Sequence, residues 1–251
     1  MARQKGIIKL EGRIGDLSFY KSGGEYLARA KGGVDGDRIK NDPAFARTRE
    51  NGAEFGAAGK ASKLLRGVFK APISQSADKK VASRLTTAML KVVQADTTNG
   101  RGERNVIDGD LNLLQGFEFN GETGLDEVIK ATYTVSFDRA TGQAQVSVEF
   151  FDPSMELEQV EGATQARLTV GVAGVDFSNS EFEVDVVQSA AIDIASKVAS
   201  TIDTNASISA NSTQPVFVVL GIEYYQTVNG ELYIINNKDS RSLAMVAVDM
   251  P

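Results

Sequence analysis

Histidine, cysteine and tryptophan are missing from this 251-residue chain. Without the first two there is no Ser-His-Asp or Cys-His nucleophile, no thiolate, no disulfide and no His/Cys zinc site. Most enzyme classes are therefore excluded before any motif is sought. Long apolar runs are scarce as well. Val216–Ile222, the longest, falls far short of the roughly 20 residues that span a bilayer. Met1–Gly12 offers only Ile7-Ile8 where a secretory signal needs about 7–15 apolar residues. The expectation is a protein made in the cytoplasm without a signal peptide and with no membrane partner. If it works outside the cell, as part of a particle, lysis or another route must release it.

What is present suffices for a core: 42% of the residues are hydrophobic and 24% charged. The charge is unevenly spread. Residues 1–105 carry 21 Lys+Arg and 11 Asp+Glu, a net of +10, while residues 106–251 carry 6 and 22, a net of −16. Such asymmetry bears on partners rather than on fold. It leaves three readings open: the halves neutralise each other within one chain, the basic half of one copy meets the acidic half of the next, or the basic half binds a polyanion.

The pattern divides the chain into 1–41, 42–105 and 106–251. In the first part, Gly6–Glu11, Arg13–Lys21 and Glu25–Lys31 read as short strands, the last two joined by the turn Ser22-Gly23-Gly24 as a hairpin. So small a hairpin is marginal alone and must pack on something. Gly32–Asp37 reads as flexible loop. In the second part, Asp42-Pro43 opens a helix that runs to about Phe69. Gly52, Gly56, Gly59 and Gly67 each weaken it by about 1 kcal/mol relative to Ala, which predicts close approach by another backbone or a break. A second helix, from about Ser76 to Ala95, carries the stripe Val81, Leu85, Met89 and Val92, and the pair should form a helical hairpin followed by a hinge at Thr97–Gly102. From about residue 111 the period becomes two. Thr132–Phe137 and Gln143–Phe150 form a hairpin, Ala166–Val172 and Phe182–Val186 are strands, and Val216–Tyr225 is a central strand covered on both faces. Asn229-Gly230 is a tight turn, and Ser242–Val248 closes the chain. Residues 189–213 are either an assembly arm or ordinary sheet. The fold class is α+β: an N-terminal β-hairpin arm and a helical hairpin, then an antiparallel β-sandwich, Ig-like in the loose sense.

Motifs for chemistry fail one by one. Gly56-Ala57-Ala58-Gly59-Lys60 lacks the upstream Gly and the Ser/Thr of a phosphate loop. Asp108–Asn112 lacks the central Gly of a calcium loop. Glu156, Glu158 and Glu161, and separately Glu181, Glu183 and Asp185, are the densest carboxylate sets, but nothing makes a pair of them converge across a cleft. They read instead as an acidic, partner-facing surface. The matching basic surface is the arm, with Arg3, Lys5, Lys9, Arg13, Lys21, Arg29 and Lys31 set among Leu17, Phe19, Tyr20 and Tyr26. No catalytic residue, cofactor or metal site is expected.

Gly6–Gly12, Ile14–Lys21, Asn41-Asp42-Pro43 and Arg47–Gly52 together resemble a family of uncharacterised Bacteroidota proteins with an N-terminal hairpin, a helical stretch and a β-rich C-terminal part. The resemblance covers about residues 1–105. It implies no activity and no functional residues, and it suggests a phage-like particle as the setting. The expectation is a non-enzymatic, self-assembling structural subunit of a filament, tube or phage-like particle. Its first partner is a second copy, joined head to tail through arm and acidic domain, alongside other particle proteins. The alternative is a particle protein that binds nucleic acid through the basic half.

Overall fold

The computed structural model describes residues 2–30, 32–76, 78–235 and 241–251. It comprises two compact units, Met1–Arg49 and Glu50–Pro251.

In the first unit, β1 (Ala2–Arg3), β2 (Gly12–Ile14), β3 (Leu17–Ser22) and β4 (Glu25–Ala30) form an antiparallel sheet in the order β1-β4-β3-β2. The expected hairpin is β3–β4, and its turn residues Gly23 and Gly24 have φ of 59° and 83°, the left-handed backbone that a two-residue hairpin turn requires. The segment 6–11, expected as a strand, is irregular. The Gln4 side chain is the reason: it accepts from Leu10 N–H at 2.8 Å and donates to the Leu10 carbonyl at 3.1 Å. That clip takes both of Leu10's backbone groups and loops the chain between them outward. Gly32–Asp37 is not loop throughout, because Asp35 accepts from Asp37 N–H at 2.8 Å and caps a short helix, α1 (Gly36–Asn41). Asp42 then accepts from Ala44 N–H at 2.9 Å, the capping role its Asp-Pro sequence predicts.

The second unit is built on α2 (Ala46–Val68), α3 (Lys70–Ser76) and α4 (Val81–Gln94), followed among the described residues by nine strands. β5 (Tyr133–Asp138), β6 (Gln143–Phe151) and β10 (Ser200–Ser207) make a small sheet in the order β10-β6-β5. β7 (Gln165–Asp176), β8 (Glu181–Gln188), β9 (Ile192–Asp193), β11 (Val216–Val228), β12 (Glu231–Ile234) and β13 (Ser242–Asp249) make the large sheet, with β7 and β11 at its centre. Alternation along β11 explains the layers. Val216, Val218, Leu220, Ile222 and Tyr224 share a core with Ala144, Val146 and Val148 of β6. Phe217 and Val219 face the other way, into a second core with Leu65 and Phe69 of the α2–α3 region and Leu85 and Met89 of α4. Helices, large sheet and small sheet are thus three layers, and a strand buried on both faces reads as a continuous apolar run.

Two expectations about the helices change. α2 is unbroken, and beyond the helix's own backbone and the adjacent residues nothing among the described residues lies within 4 Å of where a Cβ would stand on Gly52, Gly56, Gly59 or Gly67. The buried stripe Ala58, Ala61, Leu65 and Val68 carries the helix, since tertiary packing outweighs propensity. The supposed hinge after α4 is pinned. Buried Asp96 accepts from Thr98 N–H at 2.8 Å, Asn99 N–H at 3.0 Å and Asn105 N–H at 3.1 Å, and Gly102 N–H donates to buried Glu54 at 3.0 Å. Residues 189–213 are ordinary sheet. β10 pairs with β6 from Ile202↔Val148 to Ser207↔Gln143, and Ile192, Ile194 and Ile208 are buried in the sandwich. Of the two alternatives for this segment, these contacts fit the sheet and not an assembly arm.

Two predictions follow from these contacts. Gly142, in the β5–β6 turn, has φ of 74°, and a Cβ there would stand 2.1 Å from the Ile208 carbonyl oxygen. Gly142→Ala should therefore lower stability by about 2–4 kcal/mol, adding left-handed strain to overpacking. Gly52→Ala, on an open helix face, should raise it by up to about 1 kcal/mol; urea unfolding distinguishes the two. Burial opposes the Asp96 charge, but hydrogen bonds from the Asn99 side chain and from the N–H groups of Asn99, Asn105 and Thr98 outweigh it and hold the pKa at about 2. A depressed folded-state pKa stabilises above the unfolded value, near 3.8, and that contribution is lost as pH falls towards 2. Urea midpoints measured between pH 5 and pH 2 should fall less steeply for Asp96→Asn than for the natural chain.

Candidate assembly interface

Strand register sorts the arm's side chains onto two faces, because directly paired residues of an antiparallel sheet point the same way. Ile14↔Leu17↔Ala30 and Phe19↔Ala28↔Ala2 place an apolar set on one face, with Lys21↔Tyr26 at its end. Arg13↔Ser18↔Arg29 and Tyr20↔Leu27↔Arg3 place the arginines and Tyr20 on the other. The cations use the rings and acids beside them. Arg29 lies 5.5 Å from the Tyr20 ring centroid, Lys21 and Lys9 lie 5.3 Å and 5.9 Å from that of Tyr26, and Arg3 pairs with Glu25 at 3.1 Å. Lys9 also donates to the Gln4 carbonyl. Lys5 and Arg13 are exposed. Lys31 lies outside the described residues.

None of the described residues of 2–49 is buried. Ile7 and Ile8, in the loop that Gln4 closes, are 102% and 79% exposed, and Ile14 and Leu17 are exposed too. Fully burying one such side chain is worth about 1.5–3 kcal/mol, so this unit leaves most of its apolar stabilisation unrealised.

The acidic residues lie on separate elements. Glu156 ends a helical turn and accepts from Asp152 N–H at 2.5 Å, Glu158 pairs with Lys130 at 2.8 Å, and Glu161 is exposed. On β8, Glu181 is exposed, but its two companions act within the chain. Asp185 accepts from Ser207 N–H at 2.9 Å, and Glu183 accepts from the N–H and hydroxyl of Ser209, each at 2.9 Å. These carboxylates cap the end of β10 and join the two sheets at that corner. The apolar side of β8 is correspondingly open: Phe182 and Val186 are exposed, because the helices cover the centre of the large sheet.

Sequence reasoning missed Gln4, whose role depends on β1 pairing with β4. It also missed the outer edge of β5, for which a signal existed: Tyr133–Phe137 contains no charge, proline or glycine. Asp138 ends that strand. At its start, burial and then the charges of Asp126 and Glu118 raise the Tyr133 pKa. Burial likewise raises that of Glu118, which accepts from Leu125 N–H at 3.0 Å.

An open groove of 660 Å³ lies between Gly52, Gly56 and Lys60 of α2, Ile107, and Phe177 and Ser180, with Lys60 as its one titratable side chain. Acid–base chemistry needs convergent groups of shifted pKa, and a single lysine does not supply them. Among the described residues no helix is long and apolar enough to cross a membrane, and no group of three or more potential ligands is placed to hold a metal ion. No protein-family model, curated protein or solved structure matches the chain.

The carboxylate caps make a contrast within one strand. Asp185→Ala should cost about 1–2 kcal/mol by leaving Ser207 N–H without its charged acceptor, whereas Glu181→Ala should change stability by less than about 0.5 kcal/mol. Equal urea midpoints for the two variants would contradict the capping role.

Proposed function

We propose that this protein is a non-enzymatic structural subunit that assembles with copies of itself, its basic N-terminal sheet engaging the acidic body of the next copy. One observation carries the reading: residues 2–30 hold four paired strands yet no side chain among them is fully buried. Fixing a residue's backbone costs about 1–2 kcal/mol, and an isolated hairpin without a covered apolar face is marginal in water. The set of exposed Ile14 and Leu17 and half-buried Phe19 gains that cover when another molecule meets it. The charge division favours a second copy as that molecule, since the net +5 of Met1–Arg49 and the net −11 of Glu50–Pro251 attract between chains as readily as within one. A donor surface that meets a different, acceptor surface on the next copy makes a heterologous contact, which yields a ring if it closes and a filament or tube if it does not. The resemblance of residues 1–105 suggests a phage-like particle as the setting, where other particle proteins would be further partners.

A second reading has its own observation. Register gathers Arg3, Arg13, Arg29 and Tyr20 on one face, a basic and aromatic platform of the kind that holds single-stranded nucleic acid. Against it, Arg29 already covers Tyr20 and Arg3 already pairs with Glu25.

Removing residues 2–31 should leave a folded body that forms no particles in negative-stain micrographs, and about 1 M salt, where the Debye length is roughly 3 Å, should loosen particles of the full chain. Particles unchanged by the deletion would remove the arm from the mechanism. A nucleic-acid mobility shift that weakens with salt, in a chain that forms no particles, would favour the second reading.

A further inference from the structure

The body's sheet edges are not protected alike. Residues 116–119 line the outer side of β13: Gly116 N–H donates to the Met245 carbonyl at 2.7 Å, Met245 N–H to that of Phe117 at 3.0 Å, and Phe119 N–H to that of Leu243 at 2.8 Å. Asp185 takes the Ser207 N–H at the end of β10, and Glu183 the Ser209 N–H just beyond it. β5 ends the order β10-β6-β5: β13 comes close to it at that corner, where Arg139 pairs with Asp249, but among the described residues no strand is hydrogen-bonded to its outer side. Natural edge strands are blunted by lysine, proline, bulges or covering segments, and Tyr133–Phe137 has no lysine or proline. Tyr133, Val135 and Phe137 pack on the sandwich core but stay half-buried, because nothing continues the sheet past them.

The electrostatics at this edge select the partner. Asp138 stands at one end, and Asp126 and Glu118 act on Tyr133 at the other. Two β5 strands paired antiparallel over their whole length would set each Asp138 against the other copy's acidic end, so self-pairing is disfavoured. A basic, β-forming segment with free backbone groups is complementary. The Lys5-Gly6-Ile7-Ile8-Lys9 loop has that character: β-branched residues between two lysines, with no hydrogen bond made by Gly6, Ile7 or Ile8 among the described residues. At about 3.3 Å per residue its lysines stand about 13 Å apart when extended, against about 17 Å for the span of β5.

Resting on the assembly reading above, we infer that the Lys5–Lys9 loop of one copy adds as a strand to the outer edge of β5 in a second copy, with its lysines towards the acidic ends. Ile7 and Ile8 point to opposite sides of such a strand, so one of them extends the core beside Val135 and the other stays outside. The Gln4 clip releases no strand of the donor sheet, because the loop lies between β1 and β2.

The chain has no cysteine, so crosslinking tests this cleanly in the full-length protein. Ile7→Cys or Ile8→Cys chains are mixed with Ser136→Cys chains and oxidised, with Val228→Cys, exposed on the β11–β12 hairpin, as the control partner. A disulfide needs Cα atoms within about 7 Å. The expected result is a covalent dimer between an isoleucine-position variant and Ser136→Cys, several-fold more abundant than with Val228→Cys. Particles in the micrographs without that dimer would overturn the pairing while leaving the assembly reading intact. Ser136→Cys chains that crosslink better to themselves would show β5–β5 pairing and overturn the chosen occupant. Absence of both particles and dimer would overturn the two together.

Discussion

Ordering a backbone is compensated chiefly by taking apolar surface out of water, and the two units of this chain meet that constraint very differently. In the body, β7 and β11 are covered on both faces: Val218 and Leu220 by the small sheet, Phe217 and Val219 by the helices. The N-terminal sheet has as many strands as many independent small folds, yet none of its described side chains is fully buried. Local devices hold its shape, namely the Gly23-Gly24 turn, the Gln4 clip and cations set over tyrosine rings. Each is worth a fraction of a core. An arm built this way is stabilised most by whatever covers it, which is why the proposed assembly places it against a second molecule.

The same constraint accounts for what was legible in the residues. Val216–Tyr225 announced a doubly covered strand because both of its faces are apolar. Asn229-Gly230 announced its turn because both residues adopt positive φ, 52° and 87°. Asp42-Pro43 announced a helical start through its side-chain oxygen. The misses share a different origin. The glycines of α2 suggested an approaching backbone, but a helix carried by Ala58, Ala61, Leu65 and Val68 tolerates them. Thr97–Gly102 looked like a hinge because glycine and asparagine abound there. Only the fold brings Asp96 and Glu54 to its amides.

The acidic surface shows how far pattern reasoning reaches. Alternation put Glu181, Glu183 and Asp185 on one side of β8, as the register with β7 requires. It could not tell that β10 would run alongside and take two of the three as caps for Ser207 and Ser209. The carboxylates that bear on the open edge, Asp126, Glu118 and Asp138, stand apart in sequence and formed no visible cluster. Charge counted along the chain gives the sign of the body, but the location of the acidic acceptor proposed here depends on tertiary structure.

Sedimentation velocity of the full chain at about 10 mM ionic strength tests the central claim most directly. Attraction between unlike surfaces extends furthest there, where the Debye length is about 30 Å. The account predicts species much heavier than the 26.8 kDa chain, growing with concentration and shrinking as salt is added. A single 26.8 kDa boundary at every concentration and salt would contradict it.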